Sequence, residues 1–166
     1  GNVFDFYSAV SGRIALGIDY PKGDGSDIAL AIREALANCL INADYLGRQG
    51  IIIIKKQNSI TISNPGSFRI DLGGISDPRN SALVKMLNLI RVGKRMGGGI
   101  PNMFSVWKNQ GWHAPVIKED FDPDRITLTL TIGNPVDDAD KIGVAEGTGA
   151  HRQAVIAYLT ERVIAS

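Results

Sequence analysis

Glu34, Asn38 and Asn42 fall four residues apart in the segment Arg33-Glu-Ala-Leu-Ala-Asn-Cys-Leu-Ile-Asn42. On a helix that spacing stacks three polar side chains along one stripe. Ile32, Ala35, Leu36, Cys39, Leu40 and Ala43 make the neighbouring faces apolar, and polar groups on a mostly buried helix need partners. A carboxylate and an amide on such a stripe can serve a metal and a water, with Asn38 as an oxygen ligand to Mg²⁺ and Glu34 as a base. A stripe turned to solvent fits the same spacing. Further along, Gly97-Gly-Gly99 stands just ahead of a helix start at Pro101, with Lys94 and Arg95 before it. Glycines let backbone approach an anion, and the free N–H groups and dipole of a helix start favour negative charge. A flexible loop ahead of a helix is the plain alternative, and neither a Walker loop nor a Rossmann fingerprint is present. Asn64-Pro65-Gly66 follows an apolar-alternating run, where Gly66 permits positive φ and Asn64 can pair with a base edge. Taken alone it reads as a β-turn.

The elements that would position these groups are legible from periodicity. From Val3 to Leu16 the apolar residues Val3, Phe4, Tyr7, Val10 and Ile14 recur at helical intervals, and Ser26 or Asp27 can cap a second helix running to about Tyr45. Ile51 to Ile54 reads as a buried strand and Ser59 to Ser63 as its hairpin partner. A loop from Asn64 to Asn80 is long enough to be functional. Ala82 to Val92 is helical in pattern, and Ile100, Phe104, Val106 and Trp107 give another helix an apolar side before Gly111, with Trp107 expected in the core. His113 reads as a hydrogen-bonded or surface histidine. Pro115 to Phe121 is extended or irregular, and Ile126, Leu128, Leu130 and Ile132 alternate with threonines in the clearest strand pattern. Residues 133–149 are rich in Gly, Asp and Asn, which suits a linker. The periodicity therefore predicts one domain at 1–133, a linker at 134–149 and a last helix within 150–166.

The composition fits this outline. A chain of 166 residues with 44% hydrophobic content can bury one core. A net charge of +1 points to neither a polyanion-coating nor a polyanion-mimicking surface. The single cysteine, Cys39, forms no internal disulfide, so a reduced, cytoplasmic setting is expected. Apolar runs fall far short of the roughly 18 to 20 residues that span a bilayer. The N-terminus lacks the basic head and apolar centre of a signal peptide, and a start at Gly1 leads us to expect a fragment of a longer protein.

Four segments come in a distinctive order: the Arg33 to Tyr45 run, Ile60-Thr-Ile-Ser-Asn-Pro-Gly-Ser-Phe68, Ser76-Asp-Pro-Arg-Asn80 and Gly97-Gly-Gly-Ile-Pro101. Together they resemble a divergent ATPase family of transcriptional regulators, related to the C-terminal region of RecG-like helicases. The nucleotide domain of that family is similar to the gyrase, Hsp90, histidine kinase and MutL group. The resemblance covers roughly residues 3 to 132. It implies ATP and Mg²⁺ as ligands, with Glu34 as water-activating carboxylate and Asn38 as Mg²⁺ ligand. It places Asn42 beside them, Asn64 and Gly66 at the adenine, and Gly97, Gly98 and Gly99 at the phosphates. The sequence departs from the pattern at Asn42, where family members commonly carry His, at Lys94, commonly acidic, and at Asn64, commonly Asp in the wider group. These departures bear on turnover and on adenine binding. The resemblance also implies that 150–166 begins a winged helix, and that DNA is contacted by parts of the parent protein outside this chain.

The expected fold is α/β, a two-layer sandwich in which a mixed, mostly antiparallel sheet including 50–63 and 126–132 is covered on one face by helices. Its ligand would lie between the 26–45 helix and the 64–100 loops. The expected function is an ATP-binding regulatory domain with slow or absent hydrolysis. Another purine nucleotide in place of ATP, and a homodimer, stay open. The alternatives are a scaffold that binds no nucleotide and an active Mg²⁺-dependent ATPase with Glu34 as base.

Overall fold

The computed structural model describes residues 2–14, 16–18, 23, 25–67, 78–89 and 99–133, with the backbone alone at 99–101. The chain divides into two units between Gly133 and Asn134, and every described residue lies in the first. The expected linker at 134–149, the helix within 150–166, Lys94, Gly97 and Gly98 lie outside the described residues.

Helix α1 (Val3–Ile14) opens on a reciprocal cap: the Asp5 N–H donates to Asn2 Oδ1 at 2.9 Å, and the Asn2 N–H to Asp5 Oδ2 at 3.1 Å. Helix α2 (Ser26–Asn42) starts after Gly25, whose φ of 76° places it in the left-handed region. The expected side-chain cap from Ser26 or Asp27 is not made: Ser26 already lies in the first turn, and the cap position falls to Gly25, whose carbonyl accepts from Ala29 N–H at 3.0 Å.

Strands β1 (Ile52–Lys55) and β2 (Ser59–Pro65) form the expected hairpin. Helices α3 (Ser81–Leu89) and α4 (Gly99–Gln110) follow, then β3 (Val116–Phe121) and β4 (Asp124–Thr131). The sheet has the order β1-β2-β4-β3. Every neighbouring pair is antiparallel, with β2 and β4 in the centre. The described sheet is thus antiparallel throughout, and helices complete the α/β sandwich.

Strand alternation sends Ile60 and Ile62 of β2 and Leu130 of β4 to one face, where they pack with Ile28, Ile32, Ala35 and Cys39 of α2 and Met103, Val106 and Trp107 of α4. Trp107 is fully buried, donates its indole N–H to the Thr131 carbonyl at 2.8 Å and meets Trp112 edge-on at 5.6 Å. A second cluster gathers Tyr7 of α1, Leu36, Leu40 and Ile41 of α2 and Leu87 of α3. Helix α2 is therefore wrapped by neighbours on most of its circumference, and a polar residue there is conspicuous. His113 is half-buried, with a buried Nε2 that has no partner among the described residues.

The four-isoleucine run is not a buried strand. It lies at the sheet edge, with Ile52 45% and Ile54 46% exposed, because β1 has a neighbour on one side only and alternation turns these two away from the helices. Ile51 and Ile53 pack against the core. Pro115 to Phe121, read as extended or irregular, supplies the opposite edge strand.

Burial of α2 has a measurable consequence. The Cys39 thiol is pushed up from 9.0 to about 12 by burial, against a smaller opposing effect of Arg125. The Tyr45 hydroxyl, which donates to the Leu40 carbonyl at 2.9 Å, is likewise pushed from 10.0 to about 12, by burial and then by Cys39. Both groups hold their protons more tightly folded than unfolded, so their contribution is intact below about pH 9 and is lost as pH rises towards 12. Cys39 gives the firmer part of this expectation, since Tyr45 is 46% exposed. Denaturant midpoints measured from neutral to alkaline pH are expected to fall through that window. A thiol reagent at about pH 8 should leave native Cys39 unmodified. Rapid labelling without unfolding would contradict the packing of α2.

Candidate functional site

The polar stripe of α2 is not a solvated face. Glu34 is 2% exposed; Oε2 accepts from Asn102 Nδ2 of α4 at 3.3 Å, and Oε1 has no hydrogen-bond partner among the described residues. Asn38 and Asn42 are half-buried, one and two turns on. Asn42 donates one amide N–H back to the Asn38 carbonyl at 3.0 Å, within the helix. Asn102 was not singled out from the sequence. Its signal is its place in the first turn after the glycine run, directly beside the core residue Met103.

A buried carboxyl oxygen without a donor is costly, and such groups concentrate where a ligand or water completes the set. The oxygens present suit a hard cation: Mg²⁺ keeps several waters and takes one or two protein ligands plus substrate phosphates. No cluster of three His, Cys, Asp or Glu side chains exists among the described residues. Asn38 with Glu34 beside it therefore fits a metal that arrives with phosphate oxygens rather than one caged by protein alone.

The second part of the site lies at the C-terminal end of α2, whereas Glu34 is at its middle. Eight residues separate Glu34 from Asn42, about 12 Å of helix. There Asn64 is 5% exposed, on the same strand face as Ile60 and Ile62, and its Nδ2 donates to the Pro65 carbonyl at 3.2 Å. The Pro65 carbonyl also accepts the Asp44 N–H at 2.9 Å, which ties the strand end to the segment leaving α2. Gly66 has φ of 106°, a conformation that L side chains rarely adopt, and donates its N–H to the Asp124 carbonyl at 2.9 Å. The structure thus brings Asn64 and Gly66 to the C-terminal end of the helix that carries Glu34, Asn38 and Asn42. Of the glycine run, Gly99 is seen as the first residue of α4.

Arg79 and Asn80 also belong to this end. Asn80 Nδ2 donates to the carbonyls of Ile41 at 2.9 Å and Ala43 at 2.8 Å, and the Asn80 N–H donates to Ile41 at 3.0 Å. These bonds satisfy carbonyls that the end of α2 leaves open. Arg79 lays its guanidinium against Gly66. The motif Ser76-Asp-Pro-Arg-Asn80 was visible in the sequence, but contacts with α2 and β2 are long-range and leave no local pattern. An open hollow of about 420 Å³ between Val3, Tyr45, Arg79 and Leu83 is lined by none of Glu34, Asn38, Asn64 and Gly66. The converging polar groups, rather than this hollow, define the candidate site.

The chain is similar to known proteins in sequence and in fold. Residues 49–130 match the family described as "Putative ATP-dependent DNA helicase recG C-terminal". The match bears out the RecG-related resemblance and supports a nucleotide-binding, ATPase-type domain. It includes Asn64, Gly66, Arg79, Asn80 and the glycine run but not α2, so it does not bear on Glu34 and Asn38. Among solved structures the chain is similar to the DIP2311 protein from Corynebacterium diphtheriae, with a TM-score of 0.63 and 20% identity over 80% of this chain. That likeness is one of fold, and the chain covers 30% of the length of that protein. No curated protein matches the chain.

Proposed function

We propose that residues 1–133 form an ATP-binding regulatory domain in which nucleotide lies along α2, phosphates towards Glu34 and Asn38 and purine towards Asn64 and Gly66. The observation that carries this reading is Glu34, a buried acid on a core helix with one oxygen left without a donor among the described residues. Asn38 would hold Mg²⁺ together with phosphate oxygens and water, and the cation would neutralise phosphate charge. Gly97, Gly98 and Gly99 would supply backbone N–H groups to the phosphates at the start of α4. Glu34 would accept a proton from a water through Oε1, while Asn102 holds Oε2 in place. Hydrolysis would be slow or absent, because Asn42 stands where the resembled family commonly carries a histidine and an amide cannot take up or release a proton as an imidazole does.

The parent protein would be a transcriptional regulator, with residues 134–149 linking this domain to the start of a winged helix at 150–166 and DNA contacts made elsewhere. No helix among the described residues is long and apolar enough to cross a membrane.

The test is calorimetric titration with a non-hydrolysable ATP analogue and Mg²⁺, repeated on Asn38→Ala and Gly98→Val. Saturable binding weakened at least about tenfold by each change, the equivalent of about 1.4 kcal/mol, is expected. No heat and no thermal shift at millimolar nucleotide would instead favour a scaffold that binds none. The second reading, an active ATPase, is favoured by Glu34 Oε1, which has no partner among the described residues; it requires Mg²⁺-dependent phosphate release that Glu34→Ala abolishes.

A further inference from the structure

The two edges of the described sheet differ in chemistry. Strand β3 carries Lys118, Glu119 and Asp120 in succession, and charges of this kind keep an edge from pairing with another chain. Strand β1 carries Ile52, Ile53 and Ile54 with no charge, proline or glycine before Lys55. The hairpin sets which backbone groups of β1 face outward. The Lys56 N–H donates to the Ser59 carbonyl at 2.8 Å, so Lys56, Ile54 and Ile52 direct their backbone groups at β2, and Ile53 and Lys55 direct theirs away from it. No described strand takes up that outward row. Ile52 and Ile54 add side chains that are 45% and 46% exposed on the face away from the helices. Arg125 donates to Gln49 Oε1 and to the Gly50 carbonyl, both at 3.0 Å, which fastens the chain entering β1 to β4.

We propose that β1 pairs antiparallel with β1 of a second copy of this chain, about a twofold axis at Ile53, and so joins two sheets into one. Symmetry and charge select this register. A twofold axis normal to the sheet keeps every side chain on its own face, so one residue of β1 must stand opposite its own copy. With Ile53 in that place, Ile53 exchanges both backbone hydrogen bonds with the partner's Ile53, and Lys55 does so with the partner's Ile51. Ile52 meets the partner's Ile54 in the closer, non-hydrogen-bonded type of pair, and both exposed isoleucines become covered. The two Lys55 residues then lie four residues apart along the strands, about 13 Å, beyond the screening length of about 8 Å at physiological salt. Their stems can cover Ile51 while the ammonium groups stay in water. An axis at Ile54 would bring the lysines to within about 7 Å along the strand, and one at Lys55 would set them face to face. An axis at Ile52 or Ile51 would leave Ile54 opposite Gly50 or Arg48. The contact is narrow, below the roughly 1,200 Å² of standard interfaces, so the association is weak and reversible. It does not depend on the nucleotide reading of the site.

Sedimentation velocity of the whole chain without nucleotide, over about 5 to 500 µM, tests the pairing. Wild type should pass from monomer towards dimer in that range. Ile52→Lys and Ile54→Lys each bring two like charges to within about 7 Å along the strands and should weaken association at least about tenfold. Val116→Lys, the same change at a 58% exposed position of the β3 edge, should leave it unaltered. The double variant Ile52→Glu/Ile54→Lys sets opposite charges against each other in both cross-strand pairs. It should associate at least about threefold more tightly than Ile52→Glu or Ile54→Lys alone, a gain that salt removes. Thermal unfolding checks that each variant is folded. Hydrogen exchange of the wild type reads the pairing without any variant: the Ile53 and Lys55 N–H groups should exchange more slowly at high than at low concentration, and equal rates would overturn the proposal. A chain that is monomeric throughout also overturns it and leaves the edge to a strand of another protein. A dimer that survives both lysine variants, or is lost in Val116→Lys, uses another surface and overturns it too. A folded double variant that binds no more tightly than the single ones refutes the register, and with it the assigned pairing.

Discussion

Trp107→Ala is expected to destabilise the domain by about 3–5 kcal/mol, against a total of about 5–15 kcal/mol for ordinary domains. Truncation removes the hydrophobic contribution of the largest fully buried side chain and leaves a cavity that its neighbours fill only in part. It also leaves the Thr131 carbonyl without its indole donor. Trp107→Phe keeps most of the volume but not the hydrogen bond, and should cost only about 1–2 kcal/mol more than a neutral change. Denaturant unfolding measures both. The midpoint should fall with little change in slope, since the surface exposed on unfolding is nearly the same. The effect should extend to function, because Met103, Val106 and Trp107 seat the helix that brings Asn102 to Glu34. A cost below about 1 kcal/mol for Trp107→Ala would mean that α4 is not packed on β4 as described.

Much of this framework is legible in the sequence because it follows from period. The alternation of Ile126, Leu128, Leu130 and Ile132 gives β4, and three- and four-residue recurrence gives α1, α2, α3 and α4. Period fails where the deciding fact is the number of neighbours. Ile51 to Ile54 carries four identical apolar side chains, yet only the topology β1-β2-β4-β3 shows that half of them face away from the core at an edge. The site divides in the same way. Spacing put Glu34, Asn38 and Asn42 on one stripe but left a solvated face open as an alternative; burial of Glu34 by α4 removes it. The orientation of Asn64 was undetermined because an amide carries both a donor and an acceptor, and the Pro65 carbonyl that fixes it is a matter of local backbone geometry. Arg79 and Asn80 act across a sequence separation of up to 39 residues, which one sequence does not encode in any readable pattern.

The contrast between Glu34→Leu and Asn38→Ala is expected to separate catalysis from stability. Glu34 is an acid on a core helix with Oε1 unpartnered among the described residues, so replacing it by an apolar side chain of similar size removes a desolvation cost of about 1–3 kcal/mol. Asn102 loses an acceptor, but it is half-buried and its amide can turn to water. The net expectation is a rise of about 1–2 kcal/mol, or several degrees in Tm for a domain of this size. Gains of that sign are characteristic of residues kept for function at the expense of stability. The same change should abolish any Mg²⁺-dependent phosphate release, since Glu34 is the buried carboxylate of α2 and Asp27, on the same face, is exposed. Asn38→Ala should do the reverse: stability changes little, while the thermal shift produced by Mg²⁺ and nucleotide shrinks from about 2.7 kcal/mol at a hundredfold excess over Kd. Differential scanning of both variants with and without ligand reads the stabilities and the ligand-induced shifts, and a phosphate-release assay reads turnover. A loss of about 2 kcal/mol or more in Glu34→Leu would show that both carboxyl oxygens are held by donors in the folded protein. Glu34 would then be a structural acid, and the proposed water-activating role would fall with it.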